Sequence, residues 1–188
     1  MKHDRLKKII FWALCCDLGL FSKRLIAPIA NILTDSLHIP GGIGTSFSLM
    51  FLVIAAVLIP HFGSATLMGT VQSVIALSMG MVGSMGALSP IGYIVPGIII
   101  DCVTSLGRKL RWDTMVITLL ANMLAAASAS LTANVIVFHL WGPPLYLYVA
   151  VALTSGAICG ILGDTLAKRL KPVIRFEVKT KVAKEIET

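Results

Sequence analysis

The sequence predicts an all-α, polytopic membrane protein of six transmembrane helices with both termini on the cytoplasmic side. Three observations carry that expectation. Hydrophobic residues make up 56% of the 188 positions against 13% charged, and mean hydropathy is +0.89. A water-soluble domain of this size needs a charged surface that this chain lacks the residues to build. The apolar residues fall into long runs separated by turns of Gly, Pro, Ser and His. A spanning helix takes about 20 residues, so the length allows roughly six spans with short connections. The basic residues, finally, collect at particular chain positions rather than spreading evenly.

A basic arm, residues 1–8, precedes a membrane domain over 9–170, and a charged tail, 171–188, follows. The first apolar run, 9–38, carries Lys23 and Arg24 near its middle, so it is either one long bent helix or two half-length pieces. Further spans are expected at 44–59, 63–82, 87–106, 113–138 and 145–167. With the N-terminus inside, every Lys and Arg except Lys23 and Arg24 lies on the cytoplasmic side, as the charge bias of loops requires. Splitting the first run into two spans would put the basic arm outside. Trp12 and Trp112 then fall near the inner interface, and Trp141, Tyr146 and Tyr148 near the outer one, as aromatic belts do. The net charge of +7 belongs to span-flanking residues without interleaved aromatics, which points to topology rather than nucleic acid.

Small residues recur at four-residue spacing: Ala65, Gly69 and Ser73; Ala121, Ala125 and Ala129; Gly156 and Gly160. Such faces let helix backbones approach closely, within the bundle or against a membrane partner. Cys15, Cys16, Cys102 and Cys159 all lie in apolar runs without CxxC spacing and read as small buried hydrophobes. No cleavable signal is expected, because Asp17, Lys23 and Arg24 interrupt the first run.

Enzyme motifs are missing: there is no HExxH, GxSxG or Walker A pattern, and no metal or cofactor motif. Asp101 and Asp164 fall near the inner ends of their spans, where an acid reaches the interface cheaply, so an acid/base pair is not expected and Asp101 is assigned a structural or coupling role. The outer end is richer in polar groups. It collects Asn31, Thr34, Asp35, His38, the glycine turn 41–46, residues 83–86, Ser89, Asn134, His139, Trp141 and Tyr146. Donors, acceptors and flat apolar faces gathered at one end are what a small-molecule pocket needs. Within the spans, Gln72 and Tyr93 are expected to face inward, either as pocket residues or hydrogen-bonded between helices. An inward Lys23 favours an anionic solute or a buried ion pair. Arg24 lies about 100° further around the helix, so the two are not expected to line one cavity closely.

The order of these features resembles the substrate-binding membrane subunit, the S component, of energy-coupling factor (ECF) vitamin importers. The likeness rests on IPGGIGTSFSLMFLVIAAVLIPHFGSATLMG, on the outer turn GMVGSMGALSP with a following span that ends in an acid, and on LTSGAICGILGDTLAKRL. It is most similar to the branch associated with thiamine or its hydroxymethylpyrimidine precursor. The resemblance implies a six-helix protein of the bacterial cytoplasmic membrane that binds a vitamin near the outer face and hydrolyses no ATP. Its implied partners are a transmembrane coupling protein and two cytoplasmic ATPases. The implied closing loop is 35–46, with Asp35 and His38, and the implied pocket draws on Gln72, Ser84, Tyr93, Asn134 and His139. Two features depart from the family. The AxxxA docking pattern of the first span is broken, since Ala13 is followed by Asp17 and Ala27 by Asn31. Lys23 also suits a cationic thiamine poorly. The competing class is a self-sufficient secondary transporter or channel, whose usual internal repeat is not visible here.

Overall fold

The computed structural model describes residues 2–36, 43–59, 61–80, 86, 88–137, 139 and 141–186. Asp35 falls in a described helix but its side chain lies outside the described set, and His38 and Ser84 lie outside it altogether. Among the described residues every regular element is helical. The helices are α1 (Lys2–Ser36), α2 (Ile43–Leu58), α3 (Ser64–Ser78), α4 (Ser89–Lys109), α5 (Thr114–Thr132) and α6 (Pro143–Ile186). A π-helical turn, Ala133–Val137, continues α5.

Three segments are long and apolar enough to cross a membrane: Ser89–Lys109, Thr114–Ile136 and Pro143–Pro172. The expected second and third spans form shorter helices of 16 and 15 residues. At 1.5 Å per residue each covers only about 22–24 Å of the ~30 Å hydrocarbon layer. The first run is one continuous helix with Pro28 inside it, not two pieces. The charged tail continues α6 as helix to Ile186.

α2 is the axis of the bundle. Leu52, Val53, Ile54, Ala55 and Ala56 are each no more than 1% exposed. A helix that is apolar all round is a core helix, and α2 has α1, α3, α4, α5 and α6 against it. α1 is two-faced instead. Cys15, Cys16, Gly19 and Leu20 turn inward, while Leu14, Leu18, Phe21, Leu25, Ile29 and Ile32 form an exposed apolar stripe.

The small-residue faces are used within the bundle. A Cβ on Gly69 would lie 2.5 Å from the Tyr93 carbonyl oxygen, and one on Gly97 2.8 Å from that of Ala65, so α3 and α4 meet backbone to backbone. Gly156 and Gly160 press likewise on the α5 backbone at Met123 and Leu119. Ala121 and Ala125 are fully buried. This is how helices associate where lipid supplies no hydrophobic drive.

α4 also clamps the turn between α2 and α3. Asp101 accepts hydrogen bonds from Ala65 N (3.0 Å), Thr66 N (2.8 Å) and Thr66 Oγ1 (2.6 Å). These are first-turn amides of α3, which have no partner within their own helix. Two turns on, Arg108 donates to the Ala56 carbonyl near the end of α2. An anion at a helix start and a cation at a helix end both match the helix dipoles. α5 begins on its own side-chain cap, with Asp113 accepting from Thr114 N at 2.9 Å.

Candidate functional site

The two ends of the bundle differ in chemistry. One end holds the α2–α3 and α4–α5 turns, with His61, Arg108, Lys109, Arg111 and, on α6, Lys168, Arg169 and Lys171. The other holds the last turns of α1 and α3, the π-helical turn after α5 and the start of α6, where Trp141 and Tyr146 are 73% and 76% exposed. Tyr93 sits in the second turn of α4 and so lies towards this second end.

There the structure brings Lys23 of α1 onto Tyr93 of α4. Lys23 Nζ donates to the Tyr93 hydroxyl at 3.1 Å and stands 4.2 Å from the ring centroid. Tyr93 itself is only 8% exposed, packed with Leu20 and Ala76. Together Leu20, Lys23, Arg24 and Tyr93 line an open cleft of about 310 Å³. That is at the small end of the range for small-molecule pockets. An ammonium at a helix centre in a membrane costs about 2.5–3.5 kcal/mol. The face of one aromatic ring returns about 0.5–2 kcal/mol. Lys23 is thus part-satisfied by a neutral partner and keeps further N–H donors.

The lining corrects one expectation. Lys23 and Arg24 do share a cavity although they leave the helix about 100° apart. The cleft is open rather than a narrow slot, and long basic side chains bend towards polar openings.

Gln72 is buried at the contact of α3 with α1, 1% exposed, with Nε2 donating to the Cys16 carbonyl at 3.0 Å. Gly19 makes this contact possible, since a Cβ there would lie 2.7 Å from that nitrogen. Gln72 thus has the helix-to-helix bond that was one of its two expected roles. Gln72→Met should lower stability by about 1 kcal/mol, the usual net value of one such bond. The unfolding midpoint in detergent checks this, and an unchanged midpoint refutes it.

Asn134 is buried in the π-helical turn, its Nδ2 bonded back to Ser130 O at 2.8 Å and Ser130 Oγ at 3.3 Å. His139 is exposed, in a left-handed backbone conformation with φ 48°. Neither reaches the cleft lining, nor does Ser89, which is buried at the start of α4. Asp164 pairs with Lys168 at 2.7 Å, separately from Asp101 and its α3 amides, so each carboxylate has its own partners. Among the described residues no group of three His, Cys, Asp or Glu is placed to hold a metal.

Sequence reading missed Asn122. It is fully buried in α5, and its Nδ2 bonds Gly156 O at 2.9 Å and Ser46 O at 3.3 Å. Ser46 and Ser155 add a hydroxyl pair at 2.8 Å, tying α2, α5 and α6 into one polar knot. An amide in the middle of an apolar run was the available signal.

No protein-family model, no curated protein and no solved structure matches this chain. The cleft and the membrane-compatible bundle therefore define a class, a helical membrane protein with a polar cleft towards one end.

Proposed function

We propose that this chain is the solute-binding membrane subunit of an importer of the ECF type, in the bacterial cytoplasmic membrane. It crosses six times, with both termini and the basic end inside. The short helices α2 and α3 complete the crossing within the shelter of the bundle, where irregular backbone is tolerated. A transmembrane coupling protein and two ATPases supply the energy, and this chain binds the solute without chemistry of its own. The observation that best supports the reading is the cleft of Leu20, Lys23, Arg24 and Tyr93, at the end opposite the basic loops. Under the charge bias of loops that end is external, the side from which an importer must load.

The test is purification from native membranes in mild detergent. A coupling protein with ATPases is expected to accompany the chain, and mass spectrometry should find a small solute retained with it. Vesicles that hold this protein alone and accumulate solute down an ion gradient would instead make it a secondary transporter.

A further inference from the structure

We propose that the groove between α5 and α6, at the basic end of the bundle, holds an anionic phospholipid. Its phosphate meets Arg111, Lys168 and Lys171, and its acyl chains run along Val116 and Ile161. Lipid binding at this end is independent of the importer role and of the cleft at the other end.

The glycines of α6 fix how the two helices are aligned. A Cβ on Gly156 would lie 2.9 Å from the Met123 Cα, and one on Gly160 2.7 Å from the Leu119 Cα. A step forward on α6 therefore matches a step back on α5, and the helices are antiparallel. Two turns beyond Gly160, the same register sets Lys168 level with Arg111, in the turn that leads into α5. Lys168 is close enough to that turn to feel the charge of Asp113. Lys171 follows three residues on, on the same side of α6. The membrane-compatible stretches Thr114–Ile136 and Pro143–Pro172 both end here, so these cations stand at the level of lipid headgroups. Trp112, 38% exposed, is an aromatic of the kind found at that level.

Arg111 occupies a position that suits glycine. α4 closes with Trp112 N donating to the Gly107 carbonyl at 2.9 Å and Arg111 N to that of Arg108 at 3.2 Å. This is the helix ending whose left-handed residue is usually Gly. Arg111 adopts it with φ 55°, where a side chain is disfavoured. The guanidinium held there is exposed and makes no ion pair or side-chain hydrogen bond among the described residues. Its neighbours share the sign. Lys109, Lys168, Arg169 and Lys171 are all exposed at this end. Among the described residues the acids near them are Asp113, which caps α5, and Asp164, 4% exposed and 2.7 Å from Lys168.

The groove above the cations is apolar. Ile161 lies seven residues before Lys168, two turns back on the same face of α6, and is 44% exposed. Val116, across on α5, is also 44% exposed. Phosphate oxygens suit the guanidinium and ammonium donors. Basic pockets between membrane helices at such an end take acidic headgroups. A phospholipid joins an anionic group to hydrocarbon in the order that this surface presents cations and apolar side chains.

The full chain, purified in a nonionic detergent, is titrated with phosphatidylglycerol and phosphatidylcholine of equal chain length, and bound lipid is read by native mass spectrometry. Phosphatidylglycerol should bind about tenfold more tightly. Arg111→Gly suits the backbone at this position and keeps the fold, and it should weaken phosphatidylglycerol about fivefold, the effect of one basic residue at an anionic surface, with phosphatidylcholine unchanged. Lys171→Gln, on an exposed position, should do the same about threefold. Equal affinity for the two lipids, or full phosphatidylglycerol affinity in both variants, overturns the inference. A protein that accompanies the natural chain and is lost from both variants, with no preference between the lipids, makes the patch a protein-docking face and also overturns it.

Discussion

Asp101→Ala should destabilise the protein by about 3 kcal/mol, the upper range for stranding buried hydrogen-bonding groups. The carboxylate is 2% exposed and receives three bonds from Ala65 and Thr66. Removing it leaves first-turn amides of α3 without an acceptor in a setting where water is scarce. It also removes the negative charge from a helix start, an interaction worth up to about 2 kcal/mol where partly buried. Asp101→Asn keeps the shape and one acceptor but turns an N–H donor towards another donor, so it should fall between Ala and the natural residue. The midpoint of denaturant unfolding in mixed micelles measures both. An Asp101→Ala protein as stable as the original would show that α3 needs no cap from α4.

Gly69→Ala and Gly97→Ala should each cost about 1–3 kcal/mol, the usual range for overpacking. The added methyl has nowhere to go. At Gly69 it meets the Tyr93 carbonyl at 2.5 Å, and at Gly97 the Ala65 carbonyl at 2.8 Å, both backbone atoms that no rotamer change can move. α3 and α4 must part. The two sites differ in a second readout, because Gly69 presses on the residue that holds Lys23. Gly69→Ala should therefore also disturb the Lys23–Tyr93 contact and weaken solute binding severalfold, while Gly97→Ala, a turn further from the cleft, changes stability with less effect on binding. Equal stability of both variants to the natural protein would mean that the α3–α4 contact is looser than its geometry.

Much of the helical architecture was legible because apolar runs and turn residues alternate so plainly. The run containing Ser89–Lys109 was placed within a few residues, and Asp101 was assigned a structural or coupling role at its inner end. The particular amides it caps were not legible, because that bond joins residues 35 and 36 positions apart. Lys23, Arg24 and Tyr93 were each singled out as polar groups at membrane depth, but not their meeting. Angular position on one helix says nothing of how wide a cleft the neighbouring helices leave. Gln72 had two readings, and Gly19 supplies the space that brings it to the Cys16 carbonyl. Asn122 passed unnoticed because α5 is otherwise apolar and rich in alanine.

The cap that Asp101 provides has a bearing on how the chain is made. Synthesis runs from the N-terminus, so α3 leaves the ribosome before its acceptor exists, and Ala65 waits 36 residues for it. Until then α3 has 15 residues and bare amides at its start. The Ala56 carbonyl of α2 likewise waits for Arg108. α2 and α3 thus depend on α4 for their completion, and the three are best regarded as a single unit of folding, finished once α4 has emerged.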